Sequence, residues 1–172
     1  MAEKHPLIQP LAFRYYFIPV LLLIFVGLGD SLYLSISHYR VYQDIEYSSF
    51  CALTKAINCD TVSQSSYAIL LGVPIAIWAL VGYSFFLMVL SATAHRKVTH
   101  GRLWAFLFAI ALAFCLYSAY LAYISSVKIH SYCLMCILLY AVNFLLLFYT
   151  WLVRKRFMTE SLLRGLWQDV LF

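Results

Sequence analysis

The sequence predicts an all-α integral membrane protein, built as a four-transmembrane-helix bundle, and three observations support this. Of its 172 residues, 65% are hydrophobic and 11% are charged, which is more apolar side chain than a soluble domain of this size needs. Four windows reach the roughly 20 apolar residues that a spanning helix takes: about 15–37, 68–90, 103–124 and 133–153. Their hydrophobicity is continuous rather than alternating, which argues against membrane-spanning strands.

The positive charges predict the orientation of this bundle. Nine of the 12 lysines and arginines lie on the side that carries both termini, and the others lie on the opposite side: Arg40, Lys55 and Lys128. By the positive-inside rule, both termini face the cytoplasm. The net charge of +5 is therefore an orientation signal. Without a clustered basic face that carries stacking aromatics, it does not indicate a nucleic-acid partner.

We expect one membrane domain, residues 15–153, between two cytoplasmic tails. The first tail comprises residues 1–14. The second tail, residues 154–172, has apolar residues at helical spacing beside Arg164. We expect it to lie on the inner leaflet as an amphipathic helix.

Asp30 is the only acidic residue within the predicted spans. An acid there is costly and usually faces protein or water. Two alternatives stay open: a structural acid bonded to a neighbouring backbone or hydroxyl group, and a proton-handling residue.

The only long connection, about residues 38–67, is the first extracytoplasmic loop, and it contains Cys51 and Cys59. Loops of this length are usually functional or disordered. The seven residues between the two cysteines are enough to close a disulfide loop over a short helical turn. We expect an exposed, mobile pair that a protein partner can reach; the alternative is a structural staple.

A Cys-x-x-Cys pair begins the fourth predicted span. If that span is helical, Cys133, Cys136, Tyr140 and Asn143 form one stripe that descends about 15 Å into the apolar layer. The helix N-terminus favours a thiolate, so Cys133 is the expected reactive sulfur. Tyr140 and Asn143 could hold a polar headgroup dissolved in lipid, which indicates electron exchange with a lipid-soluble partner. The alternative is a chance pair of small apolar cysteines.

The five cysteines divide by position. Four of them map to the outer side, where disulfides persist, and are predicted to form two redox pairs. A zinc site is the other use of four cysteines, but the oxidising side of the membrane argues against it. Cys115 lies inside a span without a partner and is expected to serve packing.

Together these features resemble the vitamin K epoxide reductase family, in its bacterial branch. The resemblance is carried by the Cys-x7-Cys loop, Ser65, the Gly72-Val73-Pro74 segment, the Cys-x-x-Cys pair and Tyr140, and it covers about residues 15–153. It implies a four-helix bundle around a quinone, with Cys133 and Cys136 as the redox centre and Cys51 and Cys59 as shuttle cysteines.

The resemblance also implies a quinone site. Tyr140 matches the residue whose phenol bonds a quinone carbonyl, and Ser65, Ala68 and Gly72 are the other expected contacts. Vertebrate members carry an asparagine where this chain has Ala68. The expected substrate is therefore a bacterial quinone (menaquinone, ubiquinone or similar) rather than an epoxide, with no metal involved.

The expected function is a membrane thiol:quinone oxidoreductase. It would reoxidise a separate thioredoxin-like or DsbA-like protein by passing electrons through Cys51 and Cys59 to Cys133 and Cys136, and so support disulfide formation. We expect no fused thioredoxin-like domain in this chain, so the partner is expected to be a separate protein. We expect a multi-pass protein of the inner or plasma membrane with its redox loops on the extracytoplasmic side.

There are three alternatives to this function, of which the first shares its chemistry. A DsbB-type quinone reductase has the same number of spans and cysteine pairs, but the order of its pairs along the chain is the reverse of this one. A metal-handling protein would place cysteines along a transmembrane path, where this chain has only Cys115. A structural protein with stapled outer loops would have inert disulfides.

Overall fold

The computed structural model of the chain describes residues 14–44, 46–95 and 101–157. Four long helices dominate it: α1 (Arg14–Gln43), α3 (Ile75–His95), α4 (Gly101–Ile124) and α5 (Leu134–Phe157). Each contains a segment long and apolar enough to cross a membrane, by length and composition. The predicted all-α bundle of four transmembrane helices is confirmed.

The four long helices pack in a closed ring, in which α1 contacts α3 and α5, and α4 contacts the same two helices. The core is aliphatic and aromatic, with Ile24, Phe86 and Leu146 among its fully buried residues. Glycines permit the closest approaches, as expected where helices associate in lipid. A Cβ added at Gly27 would lie 2.7 Å from the ring of Tyr83.

Helix α1 is longer than predicted. It runs to Gln43 rather than ending near residue 37, so that His38 is helical and does not belong to the loop. Loop residues cover these last turns: the Tyr47 hydroxyl donates to Ser37 Oγ at 3.2 Å. Protein covers one face of this helix end, where Ser37 and His38 are buried, whereas most residues after His38 are exposed.

The predicted start of the second span, at residue 68, is wrong. A 3-10 turn (Ser66–Ala68) and a hairpin of two short strands, β1 (Ile69–Leu70) and β2 (Val73–Pro74), precede helix α3. The hairpin turn holds Leu71 and Gly72 at φ 55° and 79°, the left-handed backbone that two-residue hairpin turns require. Pro74 also disfavours a helical conformation in the residue before it.

The long loop is fastened to the turn that leads into α5. The backbone N–H of Asn58 donates to the carbonyl of Tyr132 at 2.9 Å, and the N–H of Tyr132 donates to the carbonyl of Ala56 at 2.8 Å. These bonds form a short parallel bridge between segments that are far apart in the sequence. Both cysteine pairs consequently lie at the same end of the bundle.

Several expectations concern residues outside the described ranges. The amphipathic helix expected in the second tail lies outside them from residue 158 onwards, and so does the first tail up to residue 13. The orientation of the termini and the bounds of the membrane domain stay predictions.

Candidate functional site

The loop cysteines form a disulfide, Cys51–Cys59, with their Cα atoms 5.6 Å apart. The expectation that this pair is exposed is wrong, because Cys51 has 0% and Cys59 has 4% of its surface accessible. The Ser49 hydroxyl lies 3.5 Å from Cys51 Sγ, and the Ser49 N–H donates to Asp60 Oδ2 at 3.0 Å. A partner can reach this disulfide only if the loop moves.

The helical turn expected between the loop cysteines lies instead after them. Residues 52–58 are irregular, and the short helix α2 (Cys59–Ser63) begins at the second cysteine. Asn58 caps it: its side-chain oxygen accepts hydrogen bonds from the N–H groups of Asp60 and Thr61. The cap fixes the position of Cys59 because it holds the backbone on both sides of that residue.

Cys133 immediately precedes α5 and acts as its cap. Its Sγ accepts a hydrogen bond from the backbone N–H of Cys136 at 3.1 Å. The pKa of the Cys133 thiol is lowered, chiefly by the hydrogen bond from the Cys136 side chain and also by backbone N–H groups at the helix start, while burial and Asp30 act against this shift. Cys133 therefore forms a thiolate more readily than an ordinary cysteine.

Four of the five cysteines lie together in one cluster at the same end of the bundle. Cys51, Cys59 and Cys133 form its centre, and Cys136 packs against them. Apolar side chains of Leu34, Val62 and Met135 surround the sulfurs. The cluster thus holds one disulfide beside two free thiols, an arrangement suited to exchange between the two pairs.

A cavity of about 110 Å³ borders this cluster. Three of the sulfur-bearing residues, Cys59, Cys133 and Cys136, line it, whereas Cys51 does not. The remaining walls are mainly aliphatic, with polar groups from serine, tyrosine and histidine side chains. An apolar cavity with a few polar groups is the usual form of a small-molecule site.

Three of the four residues predicted to contact a quinone line this cavity: Ser65, Ala68 and Tyr140. Gly72 does not, since it lies in the turn of the β1–β2 hairpin. A Cβ added at Gly72 would meet nothing within 4 Å. The turn conformation, rather than a close approach, is the reason for glycine at that position.

Tyr140 presents an available phenol. Its hydroxyl makes no hydrogen bond to any described residue, while the Ser65 hydroxyl donates to the carbonyl of Val62 at 2.7 Å. Ala68 contributes a methyl group, which forms no hydrogen bond. Of the predicted quinone contacts, Tyr140 is therefore the one whose hydroxyl group donates to no described residue and is available to a ligand.

Asn143, the last residue of the predicted stripe, has a different position from the one expected. Its side-chain oxygen accepts from the Tyr83 hydroxyl at 2.6 Å, and its nitrogen donates to Ser118 Oγ at 2.8 Å. This chain joins α3, α5 and α4 inside the bundle. Asn143 does not line the cavity, and its amide holds helices together.

His38 lines the cavity, although the sequence analysis did not single it out. It is 7% exposed, and its Nδ1 lies 2.9 Å from Ser63 Oγ. One turn earlier on α1, Leu34 packs against the cysteine cluster, and residues four apart share a helix face. Extending the helical spacing beyond the apolar window would have placed His38 on that face.

Asp30 and Cys115 lie outside the cavity lining. Asp30 is buried, and neither carboxyl oxygen has a hydrogen-bond partner among the described residues, so the structural alternative for this acid lacks the expected bond. Cys115 is a half-buried free thiol of α4. Within the described ranges, no three His, Cys, Asp or Glu side chains are gathered as a metal site.

Four membrane-spanning helices, a disulfide and an adjacent pair of free thiols define a class, the membrane thiol–disulfide oxidoreductases. The chain belongs to the vitamin K epoxide reductase family, whose family model matches residues 18–151. Members of this family are oxidoreductases that use quinones. The match confirms the predicted resemblance and is decisive against a DsbB-type protein. Among curated proteins the comparison found no match.

Proposed function

We propose that this protein is a thiol:quinone oxidoreductase of the inner or plasma membrane, with its redox loops on the extracytoplasmic side. It reoxidises a separate thioredoxin-like or DsbA-like protein and thereby supports disulfide formation. The observation that carries the proposal is the cavity, whose wall contains Cys133, Cys136 and Tyr140 beside the Cys51–Cys59 disulfide.

The cavity suits the headgroup of a quinone such as menaquinone or ubiquinone. Aliphatic side chains line most of it, which fits a flat apolar ring, and the Tyr140 hydroxyl offers a hydrogen bond to a carbonyl oxygen. A bound quinone supplies a two-electron acceptor that also takes up two protons. The protein supplies the electrons, the position of the ring and the exclusion of water.

The partner reacts first at Cys51. Exposed apolar side chains, Phe50 and Leu53, flank Cys51 in the sequence and offer a surface for a protein partner. A partner thiolate attacks Cys51 Sγ and breaks the Cys51–Cys59 bond, which releases Cys59 as a thiolate. Cys59, unlike Cys51, shares the cavity wall with Cys133, so its sulfur is the one placed for the next step.

Electrons then pass between the two pairs. The Cys59 thiolate attacks Cys133 of an oxidised Cys133–Cys136 pair, and Cys136 leaves as a thiol after protonation. The second thiol of the partner attacks the partner–Cys51 mixed disulfide and releases Cys51 as a thiolate. This thiolate attacks Cys59 of the Cys59–Cys133 disulfide, which restores the Cys51–Cys59 bond and frees Cys133. The partner has then lost two electrons and two protons, and the Cys133–Cys136 pair has gained them.

This exchange would leave a Cys51–Cys59 bond beside free thiols at Cys133 and Cys136, which is the arrangement of the four cysteines described above. Cys136 and Tyr140 are four residues apart on α5, share a helix face and both line the cavity. Cys136 is therefore the quinone-facing sulfur. Oxidation of the pair re-forms the Cys133–Cys136 bond and releases two electrons and two protons to the acceptor.

Membrane reconstitution tests this function. The purified protein is reconstituted into liposomes that contain a quinone. A reduced thioredoxin-like partner is added, and quinol formation is followed by absorbance. We expect quinol formation with the parent protein and with Cys115→Ala, because Cys115 lies outside the cavity. We expect none with Cys133→Ala or Cys136→Ala. Equal quinol formation by parent and Cys136→Ala protein would refute the proposed route.

A further inference from the structure

We propose that His38 is a second substrate-contacting residue of the cavity, which donates a hydrogen bond from Nε2 to a carbonyl oxygen of the quinone. The inference rests on the proposed function and deepens it. It gives the cavity two polar contacts, Tyr140 on α5 and His38 on α1, and so favours acceptors with two carbonyl groups over those with one.

The first support is the position of the imidazole. His38 lines the same cavity as Cys136 and Tyr140, and little of its surface is accessible from outside the protein. A polar ring buried without a full set of hydrogen bonds costs free energy. The placement of such a ring in an otherwise mainly aliphatic wall is explained if its remaining nitrogen serves a ligand.

The second support is how the ring is held. Nδ1 lies 2.9 Å from Ser63 Oγ, and the imidazole also interacts with the Ser63 backbone, so Ser63 holds one side of the ring; the side-chain hydrogen bonds of the described residues include none at Nε2. If the Ser63 hydroxyl donates to Nδ1, the neutral ring carries its proton on Nε2 and is a donor there. The ring of Tyr42 packs beside it, with centroids 5.1 Å apart. The histidine is thus oriented before any ligand arrives.

The third support is the direction of the two helices. Helical side chains lean towards the N-terminus of their own helix. Helix α1 ends at the cysteine end of the bundle, whereas α5 begins there. His38 therefore leans away from that end, into the bundle, and Tyr140 leans towards it. The two side chains therefore converge on the layer that contains Cys136.

The fourth support is that two of the expected quinone contacts, Ser65 and Ala68, offer no free hydrogen-bond donor to the cavity. Ala68 lines the cavity but offers no polar group, and the Ser65 hydroxyl already donates to a backbone carbonyl. In hydrocarbon a quinone carbonyl has no water to bond, so an unmatched carbonyl is unfavourable. The lining also includes the hydroxyls of Tyr67 and Ser125, and His38 is its imidazole.

The test separates binding from chemistry. Fully oxidised protein cannot reduce a quinone, so its quinone affinity is measured by calorimetric titration in detergent, and turnover is measured separately with the reduced partner. For His38→Ala we expect Kd and KM for the quinone to rise about tenfold. His38→Gln, which keeps an N–H donor, should recover part of the loss.

Two control variants exclude a structural explanation. His130→Asn changes an exposed histidine outside the cavity lining, at a left-handed position (φ 54°) that asparagine tolerates; its Kd should equal that of the parent. Ser63→Ala removes the bond that anchors the ring to α2. If His38 serves only as that anchor, Ser63→Ala and His38→Ala will raise Kd equally, and the inference is overturned.

The outcomes distinguish this inference from the proposed function. If the parent protein neither binds nor reduces a quinone, the proposed function fails and this inference fails with it. If the parent does both while His38→Ala binds with unchanged Kd, only the role of His38 is refuted. A larger rise in Kd for His38→Ala than for Ser63→Ala supports it.

Discussion

The backbone N–H of Asn58 donates to the carbonyl of Tyr132 at 2.9 Å, and each of these residues immediately precedes a cysteine of the candidate site. Cys59 and Cys133, which come from different loops, are therefore set side by side by a backbone hydrogen bond. Because a backbone bond depends little on side-chain identity, the contact between the two cysteine pairs is a property of the fold.

This geometry predicts which loop cysteine meets the partner. A thioredoxin-like protein with its resolving cysteine replaced should form a mixed disulfide with Cys51, because Cys59 is the sulfur that faces Cys133. Mass spectrometry of the trapped complex identifies the linked peptide. A partner found predominantly on Cys59 would reverse the proposed order of the two loop cysteines.

The lowered pKa of Cys133 predicts its pH dependence. In the reduced protein, the alkylation rate of Cys133 should reach half its maximum below the pH of an ordinary thiol, about 8.5. Since the Cys136 side chain is the main cause, Cys136→Ala should move this midpoint upwards, whereas Cys136→Ser keeps a donor and should move it less. An unchanged midpoint in Cys136→Ala would contradict the assigned cause.

The same shift has a consequence for stability. A group whose pKa is lower in the folded than in the unfolded protein stabilises the fold above its unfolded pKa, and this contribution is lost as the pH falls through the folded value. The reduced protein should therefore lose part of its thermal stability as the pH is lowered through the alkylation midpoint of Cys133. The oxidised protein, which has no thiol there, is the control.

Tyr140→Phe tests the proposed hydrogen bond to the quinone. The substitution keeps the ring and removes a hydroxyl that has no partner among the described residues, so stability in detergent should change little. The bond strengthens as negative charge develops on the carbonyl oxygen, and turnover should fall about ten- to a hundredfold while quinone binding also weakens. Parent-like turnover at both saturating and limiting quinone would exclude Tyr140 from the site.

For Asp30 we predict that a substitution raises the stability of the protein. Its buried carboxyl lacks a hydrogen-bond partner among the described residues, and burial of an unpaired polar group costs about 1–3 kcal/mol. Asp30→Leu should therefore raise the thermal midpoint in detergent. A lower midpoint would show that the carboxyl stabilises the bundle. A raised midpoint with lost turnover would favour the proton-handling alternative.

The architecture was largely predictable because it depends on composition. A span of about 20 apolar residues is visible in any sequence, and all four were found. The start of the second span was not, since Leu70, Leu71 and Val73 are as apolar in a hairpin as they would be in a helix. Hydropathy does not reveal the positive φ angles of Leu71 and Gly72, which are incompatible with a helix at these residues.

The site was predictable in part. Spacing placed Cys133, Cys136 and Tyr140 on one face, and these three line the cavity. Burial of the loop disulfide was missed because the loop is polar in composition, and only the tertiary contacts with α5 show that its cysteines face inwards. His38 was missed for a related reason, since a polar residue beyond an apolar window is assigned to a loop unless its packing is known.

The transfer of electrons from the Cys133–Cys136 pair to a quinone is tested most directly by counting thiols against quinol in a single turnover. Protein with free thiols at Cys133 and Cys136 and an intact Cys51–Cys59 bond is placed in liposomes, mixed with one equivalent of quinone without partner, and quenched by acid before alkylation. We predict one quinol formed for each Cys133–Cys136 bond, with Cys51–Cys59 intact throughout and Cys115 alkylated as before. Quinol that forms while Cys133 and Cys136 stay reduced, or thiols that persist beside unreacted quinone, would contradict the account.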